Sequence, residues 1–505
     1  MANFPDCLDK EVKDRLALTE NGALAYETSG HKLVDMNFKL SSYRNLAEEE
    51  IEGDFAQVYA EHPLLAVKFL FFAGDIRGGA GERRVFRTCL RWLAKTRTAW
   101  GRAVLPLVAE YNRWDSLLDV MDTPVEADAV ALLHTQLKAD MKAMAEKKPA
   151  SLCAKWLPSI NTSSLQARRM AQRLAKAWGM TEKQYRKALS ALRDYLNVTE
   201  VRMTANEWGK IDYSAVPSLA NIRYKDAFLM HDTERRSQYL QALETGEAKI
   251  NAKVTAPHEI IRAYRNGSMN LDASLEAIWK ALPDYAQGDN SSIAVVDGSG
   301  SMTRTIGHGN LTASDVATGL GLYFAERLQG AFKDKFITFS ERPRLVDFSQ
   351  TKTLCEKINV SHAYCEAANT NIEAVFDLIL ETAVDNGLKQ AELPKNVVIF
   401  SDMEFDSCAE PFGDEAQKTL FENISLKYKR HRYKLPRLVF WNINGRTNAI
   451  PMRENDNGVA LMSGFSPALV KIALSGGTLS PLALMLETLN APRYAPVEAA
   501  LAHVA

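Results

Sequence analysis

The side chains best suited to chemistry follow a short apolar run in the second half of the chain. Residues 293–302 read IAVVDGSGSM, so a β-branched segment stops at Asp297, Ser299 and Ser301, which are spaced two apart. A buried strand that ends in this way can aim a carboxylate and two hydroxyls at one point, because the intervening glycines allow a tight turn. Such oxygen ligands suit Mg2+ or another hard divalent cation. The spacing therefore predicts a cation site at the strand end.

Further ligands are expected from other strand ends, because open α/β sheets build their sites at the carboxyl edges of their strands. A second apolar run, residues 397–401, ends at Asp402, and Thr370 lies in a loop ahead of an amphipathic helix. Together, Asp-x-Ser-x-Ser, Thr and Asp resemble the metal-ion-dependent adhesion site of von Willebrand factor A domains. The resemblance implies hydroxyls on the metal, carboxylates acting through water, and an open position for a partner's Glu or Asp. The alternative is a strand-to-helix turn whose serines cap a helix.

Enzymatic interpretations of these stretches are weaker. A haloacid-type phosphatase needs a second Asp two residues after the first as a general acid, and Ser299 occupies that place. The glycine-rich residues 74–82 lack the Gly-Lys-Ser/Thr ending of a phosphate loop and follow no clear strand. Glu404 and Asp406 could form a catalytic carboxylate pair, but beside a metal they are expected to orient water. We predict a binding protein rather than an enzyme.

Bulk composition is that of a globular protein of two or more domains, with 505 residues, 46% of them hydrophobic and 24% charged. The first residues contain no basic segment followed by an apolar one, and no later stretch reaches the ~18 apolar residues of a membrane span. The 6 cysteines form no CxxC pair. These features predict a cytoplasmic protein with reduced thiols and no membrane partner.

The net charge of -1 conceals a regional difference. Residues 1–285 carry 40 basic and 37 acidic side chains, whereas residues 286–505 carry 21 and 25. Within the first part, residues 142–236 hold 18 basic against 9 acidic side chains. A polyanion partner would use such an excess, although solvated helical faces can look similar.

The periodicity of apolar residues changes near residue 285. Before it, apolar residues recur at three-to-four spacing, which predicts helices over 56–72, 83–95, 102–119, 129–146, 165–178, 181–196 and 256–265. After it, strands and helices alternate as in βαβ units. We predict an α + α/β protein, with an irregular HEAT-like α-solenoid that can close into a ring (1–285) and a doubly wound, mostly parallel von Willebrand A-type domain (286–480). A tail (481–505) is expected to pack on the helices.

Several stretches of the helical part are also distinctive. They read DIRGGAGER at 75–83, EYNRWD at 110–115, SLCAKWLPS at 151–159 and VPSLANIRY at 216–224, with FSDMEFD at 400–406 in the second part. Together they resemble the uncharacterised family known as domain of unknown function 2828, whose architecture is similar to that of the TROVE-domain Ro autoantigen. In Ro proteins a von Willebrand A domain closes a ring of HEAT-like helices, small structured RNAs bind the ring, and single-stranded RNA ends enter its hole. The resemblance implies a small RNA partner and a role in RNA quality control or ribonucleoprotein assembly.

The candidate RNA-binding residues are basic side chains of the helical part, namely Arg77, Arg83, Arg84, Lys155, Arg168, Arg169, Arg173 and Lys176. Arg169, Arg173 and Lys176 form a stripe at helical spacing that could track phosphates. Lys155 could combine a phosphate contact with stacking on Trp156, although Trp156 between two leucines is more typical of a core. Arg77, Arg83 and Arg84 could line a hole, or could pair with Asp75 or Glu82. The alternative function is metal-dependent protein adhesion on a helical scaffold without RNA.

Overall fold

The computed structural model describes residues 16–267, 269–286, 291–340, 342–364, 371–406, 420–447, 449–451, 459–475 and 480–504. Thr370, one of the predicted metal ligands, lies outside these ranges. Within them the chain forms a helical part, a six-stranded α/β part and two short terminal segments that connect the parts. No helix among these residues is both long and apolar enough to cross a membrane.

The helical part follows the predicted periodicity. Its α-helices are α1 (Lys32–Phe38), α2 (Glu48–Glu61), α3 (Pro63–Gly74), α4 (Arg83–Thr96), α5 (Thr98–Val104), α6 (Val108–Tyr111), α7 (Glu126–Ala145), α8 (Cys153–Trp156), α9 (Leu165–Ala177), α10 (Glu182–Tyr195), α11 (Thr199–Thr204), α12 (Ser218–His231), α13 (Thr233–Glu244), α14 (Pro257–Asn266) and α15 (Ala273–Lys280). The local signals are the usual ones: Pro63 occupies the first position of α3, and Thr181 and Gln184 form a capping box at the start of α10.

Two stretches of this part differ from the prediction. The helix expected over 102–119 is divided among α5, α6 and short 3-10 turns, because Pro106 lacks the N–H that would continue α5. In addition, the described part of the chain begins with an antiparallel hairpin, β1 (Leu16–Leu18) and β2 (Leu24–Tyr26), where the sequence predicted a helical part. These strands are too short to show the alternation of apolar and polar residues by which a strand is recognised in a sequence. The hairpin is held by the α/β part, since Tyr26 and Ile450 exchange backbone hydrogen bonds of 2.9 and 2.8 Å.

The α/β part is a mostly parallel sheet, as predicted. Its strands are β3 (Ser292–Asp297), β4 (Lys335–Phe339), β5 (Leu345–Asp347), β6 (Asn396–Ser401), β7 (Arg437–Asn442) and β8 (Val459–Ser463), in the spatial order β5-β4-β3-β6-β7-β8. Only the edge strand β5 is antiparallel to its neighbour in this sheet. The associated helices are α16 (Ala313–Arg327), α17 (Leu354–Ala363), α18 (Ile372–Asp385), α19 (Leu420–Arg430) and α20 (Ala468–Ser475). Because β3 and β6 are parallel neighbours, with Val296 opposite Phe400, their carboxyl ends meet at one edge.

Both ends of the helical part contact the α/β part. On one side α14 packs closely on α16: a Cβ on Gly319 would lie 2.9 Å from the backbone nitrogen of His258. On the other side α1 follows the hairpin onto the sheet, where Asn37 donates to the carbonyl of Leu461 at 3.1 Å. The helical part thus contacts the α/β part through α1 near its N-terminal end and through α14 near its C-terminal end.

The C-terminal segment lies against α3 of the helical part. It forms α21 (Pro481–Leu489) and α22 (Ala495–Leu501). Lys68, a buried side chain of α3, donates to Glu498 at 2.6 Å and to Asn490 at 2.9 Å. Arg493 forms a bidentate pair of 2.6 and 2.9 Å with Asp75, which is fully buried at the end of α3. These pairs, each with one buried partner, fix the tail on the helices.

Candidate metal site and nucleic-acid interface

The predicted cation ligands meet at the shared end of β3 and β6. Asp297 is the last residue of β3, and Asp402 follows β6 directly. The hydroxyls of Ser299 and Ser301 lie 3.0 Å apart in the turn after β3. Asp297 accepts a hydrogen bond of 2.6 Å from Ser401 and one of 2.9 Å from the backbone N–H of Ser299. The structure therefore brings together four of the five predicted ligands, and the fifth, Thr370, lies outside the described residues.

The electrostatics of this site favour a cation. Both carboxylates are buried, with Asp297 at 1% and Asp402 at 0% exposure. Burial, together with the negative charge of Asp402, raises the pKa of Asp297 to about 7. Two buried carboxylates and the two hydroxyls of Ser299 and Ser301 form an all-oxygen donor set, which fits a hard divalent cation. The described residues contain no cluster of three or more His, Cys, Asp or Glu side chains that could hold a metal. A cation bound by Asp297 and Asp402 would therefore need hydroxyl groups and water for much of its coordination shell.

Arg446 is a residue of this site that the motif did not reveal. Its Nη1 donates to Oδ2 of Asp402 at 2.7 Å, and its other guanidinium nitrogens pair with Glu20 of the N-terminal hairpin. Nothing in the sequence signals these contacts, because the three residues are far apart along the chain. The guanidinium gives Asp402 a positive partner that Asp297 does not have.

Glu404 does not have the role that the sequence suggested. Its carboxylate is fully buried and accepts backbone N–H bonds from Glu20 at 2.7 Å, Arg446 at 2.7 Å and Thr447 at 2.9 Å. These bonds join three loops, so Glu404 acts as a structural anchor instead of orienting water at the metal. Met403, between Asp402 and Glu404, has φ 64°, a left-handed conformation uncommon for this residue type. This turn lets the two neighbouring carboxylates serve different partners.

The helical part contains a second candidate site, a cavity of about 1280 Å3. Its wall comes from α8, α10, α11 and α12 and from the loops between them. Lys155, Arg186, Lys187 and Arg223 line it, and none of these four forms an ion pair with an acidic side chain of the described chain. Glu200 is the acidic residue of the wall. The cavity therefore carries an uncompensated positive charge.

Trp156 gives this cavity an aromatic surface. The side chain is half-buried in the cavity wall, not enclosed in a core as its leucine neighbours suggested. The guanidinium of Arg113 lies 3.8 Å from the ring centroid and the amine of Lys155 lies 5.5 Å from it. Arg113 is itself held by Asp115. Lys155 and Trp156 thus provide, as the sequence suggested, a cation beside a ring.

A smaller cavity of about 180 Å3 lies where the helical and α/β parts meet. Arg77 and Lys253 line it, opposite Phe465 and Ser466 of the α/β part. It shares Ile76, Leu219 and Val254 with the wall of the larger cavity. Basic side chains therefore continue from the large cavity toward the junction.

The other predicted RNA-binding residues lie elsewhere. Arg83 pairs with Asp115 at 2.5 Å, and Arg84 donates to the carbonyls of Tyr43 and Leu46, so both stabilise loops of the fold. These contacts differ from the sequence alternative, in which Asp75 or Glu82 were the partners. Those carboxylates pair instead with Arg493 and Arg44.

The stripe on α9 is on the outer surface, as its spacing predicted. Leu174 and Trp178 are buried, whereas the basic side chains point to solvent and none of them lines either cavity; these are Arg168, Arg169, Arg173 and Lys176. Arg173 pairs with Asp122 at 2.8 Å and Glu126 at 2.5 Å, which neutralises part of the stripe. The sequence pointed to these residues and missed Arg186, Lys187, Arg223 and Lys253. The regional charge excess of residues 142–236 was the signal for the first three.

Comparisons with known proteins give the chain a family. A family model described as a domain of unknown function, DUF2828, matches residues 19–99 and 127–291, and a second, DUF7788, matches residues 291–488. Uncharacterized protein L728 of Acanthamoeba polyphaga mimivirus is 30% identical over 515 residues, covering 94% of this chain and 87% of that protein. The crystal structure of the Ro (RSR) protein of Deinococcus radiodurans matches 85% of this chain and 94% of that one, with 13% identity and a TM-score of 0.43.

Proposed function

We propose that this chain, which belongs to the DUF2828 family, is an RNA-binding scaffold whose large basic cavity holds single-stranded RNA. The observation that carries the proposal is the cavity wall, which four cations without acidic partners line together with the half-buried ring of Trp156. Lysine and arginine side chains bind phosphates, and aromatic rings stack with unpaired bases. Proteins usually bind single-stranded nucleic acid in a positively charged groove that also offers aromatic rings for base stacking.

The size of the cavity favours a polymer over a small metabolite. At about 1280 Å3 it exceeds the range of roughly 300–1,000 Å3 that is typical of small-molecule pockets. The resemblance to Ro proteins agrees with a small non-coding RNA as the partner. We therefore propose a role in a ribonucleoprotein or in RNA quality control, in the cytoplasm. The buried thiols of Cys89, Cys153 and Cys355 are free, which supports a reducing compartment.

RNA binding is tested with the full chain and short unstructured RNA oligonucleotides. We expect a complex whose affinity falls linearly on a log–log plot against salt, with a slope of about -0.7 for each phosphate contact. Photo-crosslinking followed by peptide mapping should find adducts in segments 153–161 and 183–193. A chain that binds no RNA at low salt, or that crosslinks only through α9, would contradict the cavity assignment.

A second proposed activity is binding of Mg2+ by Asp297, Ser299, Ser301, Thr370 and Asp402, and the strand-end geometry of the four described residues among them supports it. The cation would supply charge to a buried carboxylate pair and leave a position open to an acidic side chain, as in metal-dependent adhesion. Calorimetric titration with Mg2+ or Mn2+ tests the site, and recovery of a protein partner only in the presence of the metal tests adhesion. If the chain proves unable to bind RNA, this alternative remains as the leading function.

We propose that neither site is catalytic. Glu404, the carboxylate two residues after Asp402, has oxygens that are already engaged by backbone N–H groups, so it is poorly placed to move protons. Turnover of a generic phosphoester or peptide substrate that is lost in Asp297→Ala would overturn this view.

A further inference from the structure

The turn of the N-terminal hairpin lies at the edge of the candidate metal site. The hydroxyl of Thr19 donates to the carbonyl of Phe405 at 2.5 Å, and the side-chain amide of Asn21 donates to the carbonyl of Glu404 at 2.7 Å. Gly22 forms a β-bridge with Asp406. These bonds attach the turn to the loop that follows β6, and they place Glu20 next to the residues around Asp402.

Arg446 lies between Glu20 and Asp402. One guanidinium nitrogen donates to Asp402 at 2.7 Å, while the others pair with the carboxylate of Glu20. Asp402 is fully buried, whereas the side chain of Glu20 is 41% exposed. The guanidinium of Arg446 thus has a buried carboxylate of the metal site on one side and an accessible carboxylate on the other. That accessible carboxylate, Glu20, also pairs with Arg304 at 3.4 Å.

A bound divalent cation would change this arrangement. It would neutralise Asp402 and repel the guanidinium, because like charges at short range in a partly buried site interact strongly. Glu20, whose backbone N–H donates to Glu404 at 2.7 Å, would then lose its pairing with Arg446. Glu20 is therefore the candidate within this same molecule for the position that an acidic partner would fill.

We propose that Glu20 is a further carboxylate ligand of the metal site, held in place by Arg446 until the cation binds. The proposal rests on the metal site described above and identifies the acidic side chain that meets the metal. It follows that the cation clamps the N-terminal hairpin to the α/β part, and that an acidic residue from another protein must compete with Glu20.

Calorimetric titration of the full chain with Mn2+ compares the parent with Glu20→Gln and Arg446→Gln. We expect Glu20→Gln to lose at least the roughly 10-fold in affinity that removal of a group hydrogen-bonded to a metal ligand usually costs, because Glu20 would contact the metal itself. Arg446→Gln should bind the metal more tightly, because a competing positive charge is removed. Glu27→Gln is the matched control: Glu27 is exposed just beyond β2, and its loss should leave the affinity unchanged.

Hydrogen exchange of segment 16–26 supplies a second measurement. Addition of Mn2+ should slow exchange there in the parent and have no effect in Glu20→Gln. If Glu20→Gln binds as the parent does while Asp297→Ala loses the metal, the Glu20 assignment is wrong and the metal site stands. If Asp297→Ala also binds normally, the metal site itself is wrong. Equal losses in Glu20→Gln and Arg446→Gln, or faster exchange with metal, would show that the pair only holds the loops together.

Discussion

The strand-end site and the helical cavity present charge in opposite ways. At the strand end, two carboxylates are buried, and the negative charge is concentrated in a few atoms. In the cavity, four cations face solvent without partners and are distributed over several helices. A compact buried site suits a small ion, whereas a dispersed accessible surface suits a long polyanion. The two regions should therefore respond differently to the same kinds of perturbation.

The largest expected effect is on metal affinity. Asp297→Ala should reduce Mg2+ affinity by more than the roughly 10- to 100-fold that loss of an outer-shell group costs, since it removes half the formal charge of the site. Asp402→Ala should also weaken binding, because Arg446 would then remain beside the cation without Asp402. Calorimetry measures both, with far-ultraviolet circular dichroism to verify that the helices remain folded. Unchanged Mg2+ affinity in the two variants would show that the strand-end site does not bind the cation.

Reversal of charge in the cavity should have the next largest effect. A triple variant, Arg186→Glu, Lys187→Glu and Arg223→Glu, should lower RNA affinity across many sequences and reduce the salt slope by about 2, at about 0.7 for each lost contact. The matched control reverses three exposed residues of α9, Arg168, Arg169 and Lys176. The control has the same net charge change, so a general electrostatic effect would appear in both. A larger loss in the control would move the RNA to the outer face of α9.

Replacement of the aromatic surface should have a smaller effect of another kind. Trp156→Ala should cost about 1–3 kcal/mol of RNA affinity, the usual contribution of one stacked base, while leaving the salt slope unchanged. Trp156→Phe should restore most of the loss, because the ring remains. A change in slope would mean that Trp156 acts by positioning Lys155.

The smallest expected effect concerns pH and the metal-free protein. The pKa of Asp297 is raised to about 7 by burial and by Asp402, above its ordinary value of 3.8. The contribution of Asp297 to the free energy of unfolding should therefore be greatest at low pH. It should fall as the pH rises from about 4 to about 7, since the folded chain retains a proton on Asp297 that the unfolded chain has lost. The contribution is of the order of 2 kcal/mol between pH 5 and 8. Chemical denaturation of the parent and of Asp297→Asn, which lacks this titration, measures it. In the presence of saturating Mg2+, the fall in stability with pH that distinguishes the parent from Asp297→Asn should disappear.

Local signals in the sequence were sufficient for most elements and for part of one site. The predicted helix over 83–95 and the predicted strand at 397–401 lie within one residue of the observed elements, because each is long or apolar enough to satisfy its own period. The hairpin β1–β2 was missed because its three-residue strands have no local preference and form against Ile450, far away in the chain.

The sequence by itself identified the candidate ligands that lie close together along the chain or at adjacent strand ends, namely Asp297, Ser299, Ser301 and Asp402. Their geometry follows from two local rules, the turn after a strand and the alignment of parallel strands. Only the tertiary structure decided that Arg446 pairs with both Asp402 and Glu20, that Glu404 binds backbone N–H groups, and that Arg186, Lys187 and Arg223 share a cavity with Trp156. Periodicity indicates which face of a helix is polar, but the partner that a polar side chain meets depends on how distant helices and loops pack together.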